Sequence, residues 1–557
     1  MARHWPHYFR KAGFAALWIL PILAAFFLVW KHSVGLPVWD EWQTPGAQLA
    51  SWYRGTLSIA ELCSQHNESR KLIPRLIYLP LFILAGWNVR LALALVFATA
   101  CLLSVGLYQL TRRTIRSAMG AGVAFIVMNL LLFSPRQYEN LRNDIQWETF
   151  APGVALVFAL IVNLSRRSLG WKTMCNAILA LVSTYTFANG MLIWLLAFPV
   201  ATGTDSLSRA KLGWRLTYIL SAAVAIGCYF IGYRHPPLSP PTASPVTDAP
   251  ALVHFFLIWF GSLFKVQDPT VAGAIIVLLF LSLAAASVWL MIKRGRWKSH
   301  YPWLVLGAYA LISGAITAVA RLGFTLAIAA DAHYTVFTVI LYIAVVALAF
   351  TLYEEFRGSK NVERRGAVLG AAAVLLLLVF WVSTFTAERR LLKKVTEYHQ
   401  HLLLVLRWAE AIPQNPELAW LSPYPEMPET IHTLAEHDAL RPRLISQTLA
   451  QAVNAAPAAQ DNAAGVLEQA IPDGNGRLWI KGSARVPNEN RPADCVVVGW
   501  QTAGGWQPRW VLETRGDRFS APVIASVPAG GAVLQAWAID LQRERVYSLG
   551  GAINVSP

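Results

Sequence analysis

The sequence predicts an all-α polytopic membrane domain followed by an extracytoplasmic C-terminal domain of α+β or β-sandwich type. Three observations predict it. Apolar runs of about 17 to 22 residues recur through the first 386 positions, enough to cross a hydrocarbon layer roughly 30 Å thick. The chain of 557 residues is 55% hydrophobic and 14% charged, with a mean hydropathy of +0.44, too apolar for a string of soluble domains. The surplus of positive charge is one-sided. Loops on one face carry 20 Lys/Arg against 4 Asp/Glu, the other face carries 11 against 10, and the segment from residue 388 carries 16 against 17. That asymmetry is the positive-inside signature of a polytopic chain and argues against a nucleic-acid footprint.

The expected spans are 13–30, 90–110, 117–134, 150–164, 173–188, 190–203, 214–232, 271–292, 301–320, 335–352 and 366–386, about eleven in all, the pair 173–188 and 190–203 being the shortest. In lipid every backbone polar group needs an internal partner, so the spans read as helices. Arg3, Arg10 and Lys11 precede the first span, which lacks a convincing cleavage site and reads as a retained anchor with a cytoplasmic N-terminus. Alternation then places the Arg112, Arg166, Arg209, Lys293 and Arg357 clusters inside, and an odd number of crossings sends the C-terminal domain outside. Three domains follow: 1–387 polytopic, with a structured first outer loop 31–89; 388–464 a helical connector; and 465–557 β-rich.

Outside the spans, 72–87 and 251–264 are apolar but short or interrupted by Pro74 and Pro80, and read as interfacial. Leu49, Trp52 and Tyr53 suggest a further interfacial helix. Residues 388–410 and 430–440 read as amphipathic helices, and from about 465 alternating segments parted by DGNG, NENRP and PAGG turns predict a small antiparallel sandwich. Trp479, Trp500, Trp506, Trp510 and Trp537 there could stack on sugars, although core packing is the commoner role of such residues. Cys63 and Cys495 face the oxidising side, with no spacing that argues for a bridge.

Carboxylates outside the C-terminal segment are few and mostly outward. Asp40 and Glu41, in VWDEW, sit at a membrane boundary where desolvating an acid is costly unless a cation or a reacting proton compensates. This is the setting of a general base, and equally of an interfacial cap flanked by tryptophan anchors. His66, Glu68, Arg70 and Lys71, followed by Arg75, gather charge suited to a lipid phosphate. His66 and Glu68 also offer two ligands to a divalent metal, a weak pattern at this spacing. Glu148 closes the RQYENLRNDIQWE loop, and Arg321, Asp331, His333 and Tyr334 converge in ARLGFTLAIAADAHY; for these an ordinary interfacial ion pair is the competing role. No GxxxxGK[ST] loop, Rossmann glycine run, HExxH or inner Asp-x-Asp pair is present, so an outward synthetic enzyme would need an activated substrate carried across the membrane.

The order of VWDEW, QHNESR with its downstream PRL, SPRQYENLRNDIQWE, TFANGMLIW and ARLGF…AHY resembles the GT-C superfamily of polyprenyl-phosphate-dependent glycosyltransferases over roughly residues 13–350, in its bacterial envelope branch. The resemblance implies a GT-C-like helical domain in the plasma membrane. It also implies a catalytic carboxylate in the first outer loop, carried over onto Asp40 with Glu41 beside it. A lipid-linked sugar donor, a glycan, lipid or protein acceptor and inverting transfer on the periplasmic side follow from it. The family leaves a divalent metal at the donor phosphate open. Where members have an Arg before the Tyr, His333 stands here. A lipid-linked polysaccharide polymerase or ligase, and a transporter or flippase of lipid-linked glycans, are the alternative classes.

Overall fold

The computed structural model describes residues 5–201, 209–264, 266, 268–357, 360–441, 443–455, 462–473, 476–487, 489, 491–502, 505–525, 527 and 531–555. It is mostly helical with a β-rich C-terminal region, and its contacts divide it into two compact units. The first holds residues 1–33, 59–76 and 90–392. The second holds 34–58, 77–89 and 393–557.

Among the described residues of the first unit, six helices are long and apolar enough to cross a membrane: Val89–Thr114, Asp144–Leu164, Lys211–Phe230, Pro269–Arg294, Trp297–Arg321 and Ala332–Phe356. Ala118–Leu132 with Pro135–Arg142 makes a seventh if the bent pair counts as one span. Shorter apolar helices cover Ala16–His32, where the first span was expected, and Leu72–Ala85 and Ala249–Gly261, so the two runs expected at the interface do form helices. The basic loops share one end of this unit. Arg113 donates to the carbonyl of Ile161, Arg116 and Arg296 both pair with Glu355, and the Trp303 indole donates to Thr114. The opposite end joins the loops around residues 68, 148, 239, 321 and 330.

The short pair folds as a hairpin with only one full helix. Leu169–Thr184 is helical, but the return arm is a 3-10 turn, Ala188–Met191, a single helical turn, Leu192–Leu196, and extended chain. It runs antiparallel to its partner: Gly190 lies against Ser183, Trp194 Nε1 donates to Thr184 Oγ1, Asn176 to the Ala197 carbonyl and Lys172 Nζ to the Val200 carbonyl. Non-helical backbone in apolar surroundings needs such partners, and the buried Asn163, Lys172 and Asn176 supply them. Residues 190–201 therefore do not make the span-length helix that composition suggests over 190–203, residues 202 and 203 lying outside the described residues; Pro199 and the polar caps favour the open arm.

The last apolar run, in the first unit, and the amphipathic segment after it are one helix, Lys360–Arg407, where two were expected; no proline or glycine interrupts it after Gly370. Only its part from Lys393 belongs to the second unit. The β-rich domain is a sandwich. Arg518–Ile524, Arg477–Val486 and Gly465–Pro472 form one antiparallel sheet, with Arg491–Pro492 at its side. Arg545–Ser548, Ala532–Asp540, Cys495–Thr502 and Gly505–Glu513 form the other, with Ile553–Val555 added. Leu478, Ile480, Phe519, Trp500, Trp510 and Leu534 fill the core. Trp500, Trp510 and Trp537 are buried, Trp506 packs against Trp537, and Trp479 is half exposed and donates to Ser520. Cys63 and Cys495 are not bridged.

Candidate functional site

In the second unit, residues 37–42 form a turn closed from both sides. The Glu41 amide donates to the Val38 carbonyl, and the Val38 amide donates to Glu41 Oε2 at 2.9 Å. The Trp42 indole, buried against Trp87, donates to the Pro37 carbonyl. Trp39 holds a left-handed backbone, φ +54°, and its amide donates to the Leu421 carbonyl at 2.6 Å. A bulky residue in that region stores strain of roughly 1–2 kcal/mol, which the surrounding contacts must hold in place.

The strained turn separates the roles of the two acids. Glu41 is 1% exposed and closes the turn, whereas Asp40 is half-buried and accepts from the Tyr424 hydroxyl at 2.8 Å. Asp40 is thus a carboxylate oriented by a hydrogen bond from a distant tyrosine. Tyr424 lies 384 positions away and no local pattern points to it.

In the first unit, QHNESR folds as a two-residue hairpin: Gln65 pairs with Arg70 and His66 with Ser69 across the turn Asn67-Glu68. Asn67 takes φ +49°, which asparagine tolerates better than most residues. Glu68 at the tip receives Arg321 Nη2 at 2.6 Å and Ser239 Oγ at 3.0 Å, while Arg321 Nη1 also donates to Ser239. The Tyr334 hydroxyl joins this group through Arg321. Arg321 and Glu68 keep 21% and 26% of their side-chain surface exposed, so the pair is reachable.

The other predicted phosphate ligands are used internally. Arg70 donates to the carbonyls of Tyr229, Cys63 and Ile231. Arg75, 2% exposed, donates to those of Glu61, Leu62 and Ser64. Lys71 forms an ion pair with Glu148 at 2.8 Å, both side chains under a tenth exposed. His66 is buried with Nε2 beside Asn67. These groups hold the loops of residues 59–75, 148 and 229–231 together.

A second acidic group adjoins them. His333 Nδ1 lies 3.9 Å from Glu139 Oε2, and the Tyr138 hydroxyl donates to the other Glu139 oxygen. The His333 ring packs on Tyr334 at 3.8 Å. Asp331 shares this end; burial raises its carboxyl to about 6, helped by the negative charge of Glu139 and opposed by Arg136. Arg136 in turn reaches Glu388 and the Ala330 carbonyl. Asn140 and Gln137 bridge to Thr335 and lock the 135–148 loop onto 330–335. Asp331 and Glu139 were visible in the sequence as loop acids, but nothing local marked them as neighbours.

Glu68, the carboxylate available to a metal at this hairpin, is already neutralised by Arg321. Among the described residues no three His, Cys, Asp or Glu side chains gather where a metal ion could be held. The chain matches no family model, no curated protein and no solved structure.

Proposed function

We propose that this protein is an integral membrane glycosyltransferase of the GT-C type that moves a sugar from a polyprenyl-phosphate donor to an envelope acceptor. Its membrane domain crosses the bilayer on the long apolar helices, six among the described residues or seven with the bent pair, and its C-terminal domain lies outside the cytoplasm. The gathering of the basic loops at one end of the first unit supports that orientation. The observation that carries the catalytic reading is Asp40: a half-buried carboxylate, aligned by Tyr424, on a turn strained at Trp39 and closed by Glu41.

Asp40 accepts the proton of the acceptor hydroxyl as its oxygen attacks the anomeric carbon. The bond from that carbon to the phosphate oxygen breaks, and the polyprenyl phosphate leaves with the electron pair. One displacement inverts the anomeric centre. Within the first unit, Arg321 is a partly exposed cation, paired with Glu68, of the kind that binds a phosphate. Lys71, Arg70 and Arg75 hold the surrounding loops. Charges that collect at the ends of helices favour this reading over a flippase, whose charges line a path at mid-depth.

The test is transfer from a synthetic polyprenyl-phosphate sugar by purified protein. Full activity in Asp40→Asn overturns the assignment; loss with an unchanged elution profile supports it.

A further inference from the structure

One loop of the second unit, residues 415–424, carries both the tyrosine that orients Asp40 and an exposed indole. Asn415 Oδ1 accepts from the Glu417 amide and starts the 3-10 turn Pro416–Trp420. The Leu421 carbonyl then receives the Trp39 amide at 2.6 Å, Ser422 Oγ accepts from the Tyr424 amide, and the Tyr424 hydroxyl donates to Asp40. Pro416, Pro423 and Pro425 restrict the backbone between these bonds. Glu417 fixes the loop to the part of helix Lys360–Arg407 beyond Lys393, through an ion pair with His401 at 3.0 Å.

We propose that this loop and the turn at 37–42 form the acceptor subsite, and that the acceptor it takes is a neutral glycan chain. The inference rests on the reading of Asp40 as general base and names the hydroxyl-bearing substrate that this base serves.

Three aromatic side chains carry it. Trp39, next to Asp40, is 59% exposed, and Trp420, next to the Leu421 that holds the Trp39 amide, is 47% exposed. Tyr398 is 44% exposed and sets its ring edge-on against Trp420, with centroids 6.3 Å apart. Rings with few torsions offer a flat contact at small entropic cost. The C–H face of a pyranose fits such a surface, while its hydroxyls reach a carboxylate at the rim.

The surroundings separate a glycan from other acceptors. Leu421 is fully buried, whereas Glu397 and Gln400, on the same helical turn as Tyr398, and Glu426, at the end of the loop, are exposed. Those exposed neighbours offer hydrogen bonds and no track for an acyl chain. Indoles that anchor a protein in the bilayer surface sit over hydrocarbon, where exposed carboxylates are costly. Asp40, Glu397 and Glu426 also repel an anionic polymer. A neutral sugar chain suits the rings and the acids together.

The experiment measures binding of maltohexaose, cellohexaose and chitohexaose to purified full-length protein by isothermal titration calorimetry, in a detergent without a sugar head group. At least one hexasaccharide is expected to bind. Trp420→Ala and Trp39→Ala are each expected to weaken that binding roughly tenfold, as loss of one stacked ring implies. Trp420→Phe, which keeps a ring, is expected to retain most of it. Trp52→Ala removes a comparably exposed indole, 49%, from the helix Ala47–Tyr53 of the same unit and is expected to leave binding unchanged. If Trp420→Ala loses its elution profile, Trp39→Ala and Trp420→Phe carry the test.

Binding of none of the three sugars, unchanged affinity in either alanine variant, or a loss in Trp420→Phe equal to that in Trp420→Ala overturns the proposal. An equal loss in Trp52→Ala overturns it too and assigns the indoles to the bilayer surface. Hexasaccharide binding without transfer from the polyprenyl-phosphate sugar overturns the glycosyltransferase reading and keeps the glycan subsite. Transfer to a lipid or peptide acceptor without hexasaccharide binding does the reverse.

Discussion

The hydroxyl of Tyr424 donates to Asp40 Oδ1 at 2.8 Å, joining a turn near the N-terminus to a segment 384 residues later. A hydrogen bond to a charged carboxylate contributes about 1.5–3 kcal/mol when its partners are held in place. Asp40→Asn is expected to lower kcat of sugar transfer at least ~100-fold. Tyr424→Phe, which leaves the acid but frees its orientation, is expected to lower kcat roughly tenfold with the donor KM little changed. Steady-state kinetics on both variants check the order.

Trp39 is 59% exposed, so its side chain contributes little packing while its backbone is strained. Trp39→Gly relieves the left-handed conformation and Trp39→Ala does not. The glycine variant is expected to be more stable than the alanine variant by about 1 kcal/mol. Thermal unfolding of the pair isolates the backbone effect because both lose the indole.

The Lys71–Glu148 pair is buried on both sides. Lys71→Met takes the ion-pair partner from the buried Glu148 and leaves Arg75 as a nearby positive charge, so it is expected to cost at most about 3–5 kcal/mol. Lys71→Met combined with Glu148→Met is expected to cost less than the sum of the two single changes. A double-mutant cycle by thermal unfolding measures the difference.

Asp331 has a folded pKa raised to about 6, by burial first and by Glu139 second, against an unfolded value near 4. Between those values the folded state binds more protons than the unfolded state, so stability falls as pH rises through the window. The effect is small, since Asp331 is exposed to water and solvent screens its charge. Asp331→Asn is expected to flatten the stability profile between about pH 4 and 6, which unfolding at stepped pH reveals.

Gly190 tests the hairpin that replaces the expected second short helix. A Cβ there would stand 2.0 Å from the Ser183 carbonyl oxygen, a backbone atom that cannot step aside. Gly190→Ala is expected to cost 1–3 kcal/mol or more and to lower the yield of folded protein. Size-exclusion profiles of the two proteins compare it.

Local composition alone carried the long apolar helices, the shorter ones at 72–85 and 249–261, and the β-rich end. Those features are written in local composition: a run of leucines and valines needs a helix wherever lipid is its solvent. Alternating residues between DGNG and PAGG turns need a sheet. The candidate acids and cations were also legible, because charges beside apolar spans are scarce.

Tertiary structure alone decided what each of them does. Glu41 closes its own turn, Arg70 caps carbonyls of the distant 229–231 segment, Arg75 caps those of residues 61–64, and Arg321 meets Glu68 across 253 positions. Residues 34–58 and 77–89 pack with the segment from Lys393, through Arg54 on Glu429 and Trp87–Asn88 paired in parallel with Leu440–Arg441. No window of sequence records such pairings. A donor's partner depends on which carbonyls and carboxylates the folded chain brings within about 3 Å, and that is set by packing over the whole unit.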